Sequence, residues 1–432
     1  MNLWEPTPAL RRATAVTAVA LGLALLLGEP VLVVLAAPFL LCSVLGVVHR
    51  PASSPRVRSW VDQATLHEGQ GTVSRLLIDD AEGAEYLVRR TAPTPYVALH
   101  PAGGMRGTLL GEGGVVEASV DVSPRRWGRR ALAHEKVALT SPWGGFCCGP
   151  VMVHGHTLTV LPTTAPFDSR AEVPQPLGLV GAHRSQRNGD GSEFSGIRPF
   201  QAGDRLRRIN WRVSLRSESL HVVATRSEED SAVLIVVDAL AEHGVSGGID
   251  GAASSLDVTV RAASALAEHY VRRGDRVGLR ILGVGGESLA CGAGRRHLRR
   301  LQWTLAHLRP GEPRDLSADR LRFRAGSGTV VIVLSPMLHD VVVTATAGLA
   351  GRGLPVIVVD TLPQGTSPAV VKDTDPVVAA LAWRMRLTDR DVLFARLSRI
   401  GCPAVPWRGP GTLDDVLHRL ARRAQLPQVR VR

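Results

Sequence analysis

The sequence has few of the short motifs that mark common catalytic and metal-binding sites. Its 432 residues contain five cysteines, and none of them stands in a C-x-x-C spacing. The cysteines therefore support neither a zinc site nor a disulfide framework, and they fit a reduced, cytosolic compartment. The chain also has no G-x-x-x-x-G-K-S/T phosphate loop and no H-E-x-x-H zinc motif. Without such motifs, we expect a protein that is not an enzyme.

Lysine is nearly absent, although the chain is strongly basic. Lys and Arg total 51 against 39 Asp and Glu, which gives a formal net charge of +12, yet the only lysines are Lys136 and Lys372. Such a charge would ordinarily favour nucleic acid or an anionic membrane surface as a partner. The arginines, however, are scattered among acidic residues, whereas a nucleic-acid surface needs a stripe of one sign. We therefore expect no nucleic-acid partner, and the arginine usage is typical of a GC-rich genome.

Two apolar runs without a charged residue lie near the N-terminus. Residues 13–28 and 31–48 are separated by Glu29 and Pro30, and each run is slightly shorter than the roughly 20 residues that cross a hydrocarbon core. Basic residues flank the pair on both outer sides, where the positive-inside rule places cytoplasmic ends. They are Arg11 and Arg12 before the runs and His49, Arg50, Arg56 and Arg58 after them. The pattern predicts a transmembrane helical hairpin over residues 1–50, with the bulk of the chain in the cytoplasm.

A cleaved signal peptide is the alternative interpretation of this region. Arg11 and Arg12 would form its basic start, and Leu35-Ala36-Ala37 would supply small residues for cleavage. The combined apolar length, however, is well beyond the roughly 7–15 residues of a signal-peptide core. No disulfide pattern follows either, so we favour the hairpin.

The rest of the chain has the patterns of two further domains. A proline-rich linker at residues 51–55 leads into short β-rich runs broken by glycine and proline, which are typical of an antiparallel β-sandwich over residues 51–162. Residues 163–231 form a polar connector. From residue 232 to residue 432, strands and helices alternate, and nearly continuous aliphatic runs are expected for parallel strands covered on both faces. This alternation predicts an α/β doubly wound parallel sheet.

The expected elements are as follows. The sandwich strands are residues 71–78, 84–89, 115–122, 136–140 and 156–161. The strands of the α/β domain are residues 232–237, 276–282, 329–334, 354–360 and 404–407. Its helices are residues 256–273, 295–308, 341–351, 377–386 and 413–424.

An arginine-rich segment, residues 191–216, lies just before the first strand of the α/β domain. We call it the signature segment, because about a dozen spaced residues in it resemble one family, the domain of unknown function 58 family (DUF58). They are Gly191, Glu193, Phe194, Arg198, Phe200, Gly203, Asp204, Arg208, Ile209, Trp211 and Arg216, while Asn210 and Leu215 depart from the family pattern. Residues 141–146 are similar to a turn of the same family, with Ser141 in place of aspartate. The resemblance implies a bacterial membrane-anchored protein with a von Willebrand factor A-like α/β domain.

Two interpretations of the signature segment remain open. As a docking surface it would use arginine and tryptophan, which are enriched at binding hot spots. As an internal strap it would pack Phe200, Ile209 and Trp211 on the α/β sheet and pair its arginines with carboxylates. In both interpretations the residues expected in partner-binding or interdomain contacts are Glu193, Phe194, Arg198, Phe200, Asp204, Arg208, Trp211 and Arg216.

Asp238 closes the first predicted strand of the α/β domain, at the edge where doubly wound sheets bind ligands. The resemblance implies that an aspartate here opens an aspartate-x-serine-x-serine motif that binds Mg²⁺. Both serines are missing from this chain, and Ala239 and Ala241 supply no ligand. A metal at Asp238 would have to add ligands from Glu242, Asp340 or Ser254. We therefore expect no cofactor; Mg²⁺ at Asp238 is the alternative, and a strand-end hydrogen bond would explain the aspartate without it.

These observations predict a membrane-tethered protein-interaction protein, of adaptor or chaperone-like type, with membrane lipid around its hairpin. The resemblance implies a cytoplasmic partner, a MoxR-type AAA+ ATPase. Two alternatives remain at this stage. One is a metal-dependent hydrolase at Asp238, and the other is anionic-lipid or nucleic-acid binding through the arginines.

Overall fold

The computed structural model describes residues 4–110, 115–163, 188–201, 204–226, 232–313, 317, 323, 325, 329–367 and 375–407. The chain divides into two compact units. The first unit contains Met1–Leu161 and Gly248–Asp250, and the second contains Pro162–Gly247 and Gly251–Arg432. The predicted helix at residues 413–424 lies outside the described residues, as do residues 164–187 of the predicted connector.

Two apolar helices pack against each other at the start of the first unit. They are α1 (Pro8–Leu27) and α2 (Val31–Val48), joined by a turn in which Gly28 takes the left-handed conformation at φ 71°. At 1.5 Å per residue α1 is about 30 Å long, close to the thickness of a hydrocarbon core. Both helices are long and apolar enough to cross a membrane. The two predicted helices are therefore confirmed.

The remainder of the first unit is β-structure. Its strands are β1 (Trp4–Pro6), β2 (Arg56–Val61), β3 (Thr65–His67), β4 (Thr72–Asp79), β5 (Tyr86–Thr91), β6 (Val97–His100), β7 (Met105–Leu109), β8 (Val116–Pro124), β9 (Gly128–Ala131), β10 (Glu135–Thr140), β11 (Phe146–Val153) and β12 (Thr157–Leu161). They form a five-stranded sheet in the order β1-β11-β10-β5-β7, a four-stranded sheet in the order β2-β4-β8-β6 and a three-stranded sheet in the order β3-β12-β9. Neighbouring strands are antiparallel except for β3 and β12.

The two larger sheets face each other across an apolar core. Burial alternates along β4 and β8, as the period of two in a half-buried strand requires. One cluster joins Leu76 and Ile78 of β4 to Leu87 of β5 and to Val137 and Leu139 of β10. These strands therefore form a sandwich, as the sequence predicts. The sequence did not predict β1, which lies before α1 and pairs with β11, so that the five-stranded sheet includes residues from the predicted hairpin segment.

A buried ion pair lies inside this sandwich. The Arg89 side chain is fully buried and the Glu135 side chain nearly so, and Arg89 Nη2 lies 2.6 Å from Glu135 Oε1. Arg89 Nε donates to Glu135 Oε2 at 3.1 Å, and Nη2 also donates to Ser74 Oγ at 2.6 Å. The Nη1 group donates to the carbonyl oxygens of Ser74 and Ala118, both at 2.8 Å. All N–H groups of the guanidinium thus have an acceptor.

The second unit begins with the signature segment and continues with a six-stranded sheet. Its elements are β13 (Asn188–Pro199), α3 (Trp211–Ser217), β14 (His221–Arg226), β15 (Ala232–Asp238), α4 (Ser255–Arg272), β16 (Arg276–Leu282), β17 (Ser288–Gly292), α5 (Arg295–Ala306), β18 (Thr329–Ser335), α6 (Asp340–Gly351), β19 (Val356–Asp360), α7 (Pro376–Arg399) and β20 (Ala404–Pro406). The strand order of the sheet is β17-β16-β15-β18-β19-β20, and every neighbouring pair is parallel except β16 and β17.

Helices cover both faces of this sheet. Leu234 and Val236 of β15 belong to a buried cluster with Val342 of α6 and Leu397 of α7. Because side chains alternate along a strand, Val233, Ile235 and Val237 face the opposite side, where α4 contacts β15, β16, β18 and α5. The alternation of strands and helices is therefore as predicted.

The predicted connector contains β13, α3 and β14, which the sequence did not predict, and two elements after residue 232 also differ from the prediction. Helix α7 continues to Arg399, whereas the predicted helix ends at residue 386. The second half of the helix has few buried apolar residues, so its sequence shows no apolar stripe from which a helix could be predicted. Strand β17 was not predicted at all. It is a five-residue antiparallel edge strand with no buried residue, so its sequence carries no apolar alternation.

Candidate functional site

The direction of strand order reverses at β15. From β15 the chain first adds β16 and β17 on one side, and then β18, β19 and β20 on the other. In doubly wound sheets, ligands bind in the crevice outside the carboxyl ends of the strands at this reversal. Asp238, the last residue of β15, and Ser335, the last residue of β18, both lie at this point. The sequence-predicted residue Asp238 therefore occupies the edge where it was expected.

Asp238 is buried, and both of its carboxylate oxygens are used within the protein. Ser335 Oγ donates to Oδ2 at 2.6 Å, and the backbone N–H of Leu240 donates to Oδ1 at 3.1 Å. Ser335 Oγ also accepts the backbone N–H of Met337 at 2.8 Å. Ser335 therefore links Asp238 to the loop after β18. This link could not be predicted from the sequence, since the two residues are 97 positions apart.

Burial raises the pKa of Asp238, because the charged carboxylate loses its hydration. The hydrogen bonds from Ser335 and Leu240 and the nearby His339 act in the opposite direction. Burial also lowers the pKa of His243, and the nearby His339 and Arg386 lower it further. Burial thus disfavours the charged forms of both Asp238 and His243.

Three other titratable side chains at this edge form contacts within the protein. His339 Nδ1 lies 3.3 Å from Glu312 Oε1. Arg386 Nη2 donates to the carbonyl oxygen of Leu338 at 2.6 Å, and Arg390 Nε donates to that of Pro336 at 2.6 Å. The loop after β18 is therefore fixed by two arginines of α7, which the sequence did not indicate. Arg390 also pairs with Asp360 at the end of β19.

Two of the three candidate magnesium ligands, Ser254 and Asp340, lie at the N-terminal ends of helices. Ser254, one of the candidate ligands, is buried as the N-cap of α4 and shares a capping box with Asp257. Asp340 is exposed as the first residue of α6. Within the described part of the chain, no group of three or more His, Cys, Asp or Glu side chains is arranged to hold a metal. The hydrogen bonds of Asp238 instead correspond to the strand-end alternative.

One catalytic motif was missed in the sequence. Residues 244–248 read G-x-S-x-G, the pattern of a nucleophile elbow, with Ser246 at its centre. A nucleophile elbow places its serine on the turn directly between a strand and a helix. Here β15 ends well before Ser246, which is buried in the long loop that precedes α4. The structure therefore does not support a catalytic role for this motif.

The signature segment and the residues that follow it fold as a β-hairpin with a short helix between its strands. Strand β13 pairs with β14, and α3 lies between them. Arg198 and Asp204 form a two-point ion pair, with distances of 2.7 Å and 2.6 Å, and this pairing lowers the pKa of Asp204. Asn210 caps α3 by accepting the N–H of Val213 at 3.2 Å. The predicted arginine–carboxylate pairing at Asp204 thus closes the segment on itself.

The segment is fixed through one face and leaves another exposed. Ile209 and Ser214 are buried, and Ser214 Oγ accepts the N–H of His221 of β14 at 2.9 Å. Trp211, by contrast, is 62% exposed and Leu215 is 80% exposed. The expectation that Trp211 packs on the α/β sheet is wrong, because the helix is anchored through its other side.

The remaining predicted residues of the segment divide as follows. Arg216 is exposed in the last turn of α3, while Phe200 and Arg208 are half-buried. The side chains of Glu193 and Phe194 lie outside the described residues, although their backbone belongs to β13. Gly203 lies outside the described residues as well.

Comparison with known proteins finds a family match over part of the chain. No curated protein matches the chain. A solved structure, the non-cellulosomal cohesin from the hyperthermophilic archaeon Archaeoglobus fulgidus, is similar over 24% of this chain and 91% of that chain, with 8% identity and a TM-score of 0.18. That score is too low to indicate a shared fold. Residues 196–365 match the model of a family described as "Protein of unknown function DUF58", and this match supports DUF58 as the family of the chain.

Proposed function

We propose that this protein is a membrane-anchored protein-interaction module and not an enzyme. Helices α1 and α2 would cross the membrane, with both outer ends and both units on the cytoplasmic side. Two apolar helices of sufficient length support the anchor. Arg11, Arg12 and Arg50 at the outer ends of the hairpin support the orientation, since positive flanks favour the cytoplasm.

The second unit would be a von Willebrand factor A-like domain used for binding. The reversal of strand order at β15 and the antiparallel edge strand β17 support this assignment. Asp238 in this domain would be a structural residue, because its oxygens accept hydrogen bonds from Ser335 and Leu240. Binding would therefore depend on a surface other than a metal site.

The observation that carries the proposal is the exposed face of α3. Trp211 and Leu215 are four residues apart, so they lie on the same side of the helix. Arg212 and Arg216 have the same spacing and are also exposed. We call these four residues the apolar–arginine face. Exposed tryptophan and arginine are the residue types that dominate binding energy at interfaces, and arginine favours carboxylates.

The partner would be a cytoplasmic protein with an apolar, acidic binding surface. The DUF58 resemblance implies a MoxR-type AAA+ ATPase, which we propose as this partner. Full-length protein would be captured from detergent-solubilised membranes, with and without ATP, and the bound proteins identified by mass spectrometry. We expect an AAA+ ATPase in the wild-type capture. Its amount should fall by roughly 30-fold or more in Trp211→Ala, since removing a hot-spot residue costs about 2 kcal/mol or more.

A matched control is available in the same unit. Trp303 of α5 is also exposed, at 46%, but lies outside the apolar–arginine face. Trp303→Ala should therefore capture as much ATPase as the wild type. The proposal fails if the wild type recovers no AAA+ ATPase under either condition, or if both tryptophan variants lose it equally.

A further inference from the structure

The β-sandwich is joined to the helical hairpin without a free linker. Strand β1 ends at Pro6, Thr7 caps α1, and the helix begins at Pro8. The pairing of β1 with β11 fixes the chain before α1, and Trp4 Nε1 donates to the carbonyl oxygen of Ser53 at 3.0 Å. Ser53 follows α2, so the segments that enter and leave the hairpin are bonded to each other and to the sandwich.

One sandwich loop contacts both helices directly. The N–H of Thr7 donates to the carbonyl oxygen of Gly145 at 3.0 Å, and Thr7 Oγ1 donates to that of Gly144 at 2.5 Å. On the other helix, Gly46 approaches Gly145 so closely that a Cβ on Gly145 would lie 2.8 Å from Gly46 Cα. Leu10, in the first turns of α1, is buried in the apolar core of the sandwich. Hairpin and sandwich therefore pack as one body.

The position of this loop relative to the bilayer follows from its contacts with the two helices. Arg11 and Arg12 lie at the level of the headgroups if α1 crosses the bilayer, because charged side chains are costly in hydrocarbon. Thr7 is four residues earlier, about 6 Å along the helix axis. Gly46, which the loop also contacts, belongs to the apolar run of α2. The loop is thus within one or two helical turns of the hydrocarbon boundary.

We propose that residues 141–145 form a membrane-contact loop that inserts Trp143 into the headgroup layer of the bilayer. The proposal rests on the proposed membrane anchor and adds a second contact to it. Trp143 is 61% exposed and takes the left-handed conformation at φ 60°, which is rare for a bulky residue. Tryptophan is enriched at membrane interfaces, where its ring lies in the apolar zone and its N–H faces water.

Charge at the base of the hairpin fits the same layer. Arg50 lies over the ring of Phe146, with 5.3 Å between the guanidinium carbon and the ring centroid. Arg11 and Arg12 add positive charge at the start of α1, where phosphate headgroups attract it. The sandwich would therefore be held at a fixed height and orientation on the membrane instead of moving freely on a tether.

Quenching of tryptophan fluorescence by brominated lipids tests this loop. Neither α1 nor α2 contains any of the eight tryptophans of the chain. Full-length protein would be placed in nanodiscs whose lipids carry bromine near the headgroup end of the acyl chains. We expect partial quenching in the wild type, its loss in Trp143→Phe, and its retention in Trp60→Phe, which replaces a partly exposed tryptophan of β2.

A second variant separates this proposal from the membrane anchor. Phe39 lies near the middle of α2, so Phe39→Trp in the Trp143→Phe background places a reporter inside the bilayer. Strong quenching of this reporter, together with wild-type quenching that Trp143→Phe leaves unchanged, would overturn the contact loop and retain the anchor. No quenching of the reporter at position 39 would overturn the anchor itself.

Discussion

Replacing Glu135 by alanine is expected to destabilise the β-sandwich by about 3–5 kcal/mol, because it leaves Arg89 buried without a counter-charge. The guanidinium would keep its bonds to Ser74 and Ala118 but lose both carboxylate oxygens. For a unit of this size the loss corresponds to a fall in melting temperature of roughly 10 °C. Calorimetry of the full chain in detergent micelles measures this shift in the transition of the first unit.

A surface pair in the same unit provides the control. Glu117 pairs with Arg75 at 2.5 Å, and both side chains are partly exposed to solvent. Because water screens such a pair, Glu117→Ala should leave the transition almost unchanged. Equal shifts for the two glutamate variants would contradict the assigned role of the buried pair.

Two substitutions of Asp238 are expected to differ strongly in their effect on the stability of the second unit. Asp238→Ala removes the acceptor of both the Ser335 hydroxyl and the Leu240 N–H. Each buried donor left without a partner costs about 1–3 kcal/mol, so the second unit should lose stability at every pH. Asp238→Asn keeps one acceptor and cannot ionise, so it should be much less destabilising than alanine and should approach or exceed the stability of the wild type.

The pH dependence of the asparagine variant gives the sign of the effect. Burial raises the pKa of Asp238, so the folded wild type retains its proton above the pH at which the unfolded chain releases it. The wild type therefore loses stability as pH rises from the unfolded pKa of about 3.9 through the higher folded pKa, and Asp238→Asn does not. The melting temperature of Asp238→Asn minus that of the wild type should therefore increase as the pH rises through this window. A relative fall would show that the carboxylate is stabilised as an anion.

The same variants test magnesium binding. A ligand that binds only the folded state raises stability in proportion to the logarithm of its concentration above Kd. We expect millimolar MgCl₂ to leave the difference in melting temperature between wild type and Asp238→Asn unchanged. A rise confined to the wild type would show that Asp238 binds the metal after all.

The aliphatic runs made the central sheet predictable. Every residue of β18 is buried, and β15 is buried from Val233 onward, so both faces of each strand need apolar side chains. The same logic identified α1 and α2 from uninterrupted apolar sequence. Elements with such uninterrupted apolar runs can be predicted from local composition alone.

Other elements depend on contacts that are remote in sequence. Strand β1 has three residues and includes Pro6, so its pairing with β11 leaves no local pattern. Strand β11 itself contains Gly149 and Pro150, which normally argue against a strand. Likewise, the predicted end of β15 places Asp238 at the edge of the sheet, but its hydrogen bond with Ser335 could not be predicted from the sequence.

The exposure of Trp211 shows the same limit. An aromatic residue in an arginine-rich segment fits a packed strap as well as a docking surface. The structure distinguishes these two interpretations, because Ile209 and Ser214 anchor α3 from one side and leave Trp211 exposed on the other. The exposure of Trp211 depends on which face of α3 packs against the rest of the fold. A helix of seven residues has too few turns for its sequence pattern to show which face is buried.

Thiol labelling of spheroplasts tests the membrane-anchored, cytoplasmic arrangement most directly. Glu29 lies in the turn between α1 and α2, and Cys147 and Cys291 are partly exposed cysteines of the two units. With a membrane-impermeant maleimide, we expect Glu29→Cys to be labelled in intact spheroplasts and the wild-type chain to be labelled only after the membrane is opened. Labelling of the wild-type chain in intact spheroplasts, or protection of Glu29→Cys, would contradict the arrangement.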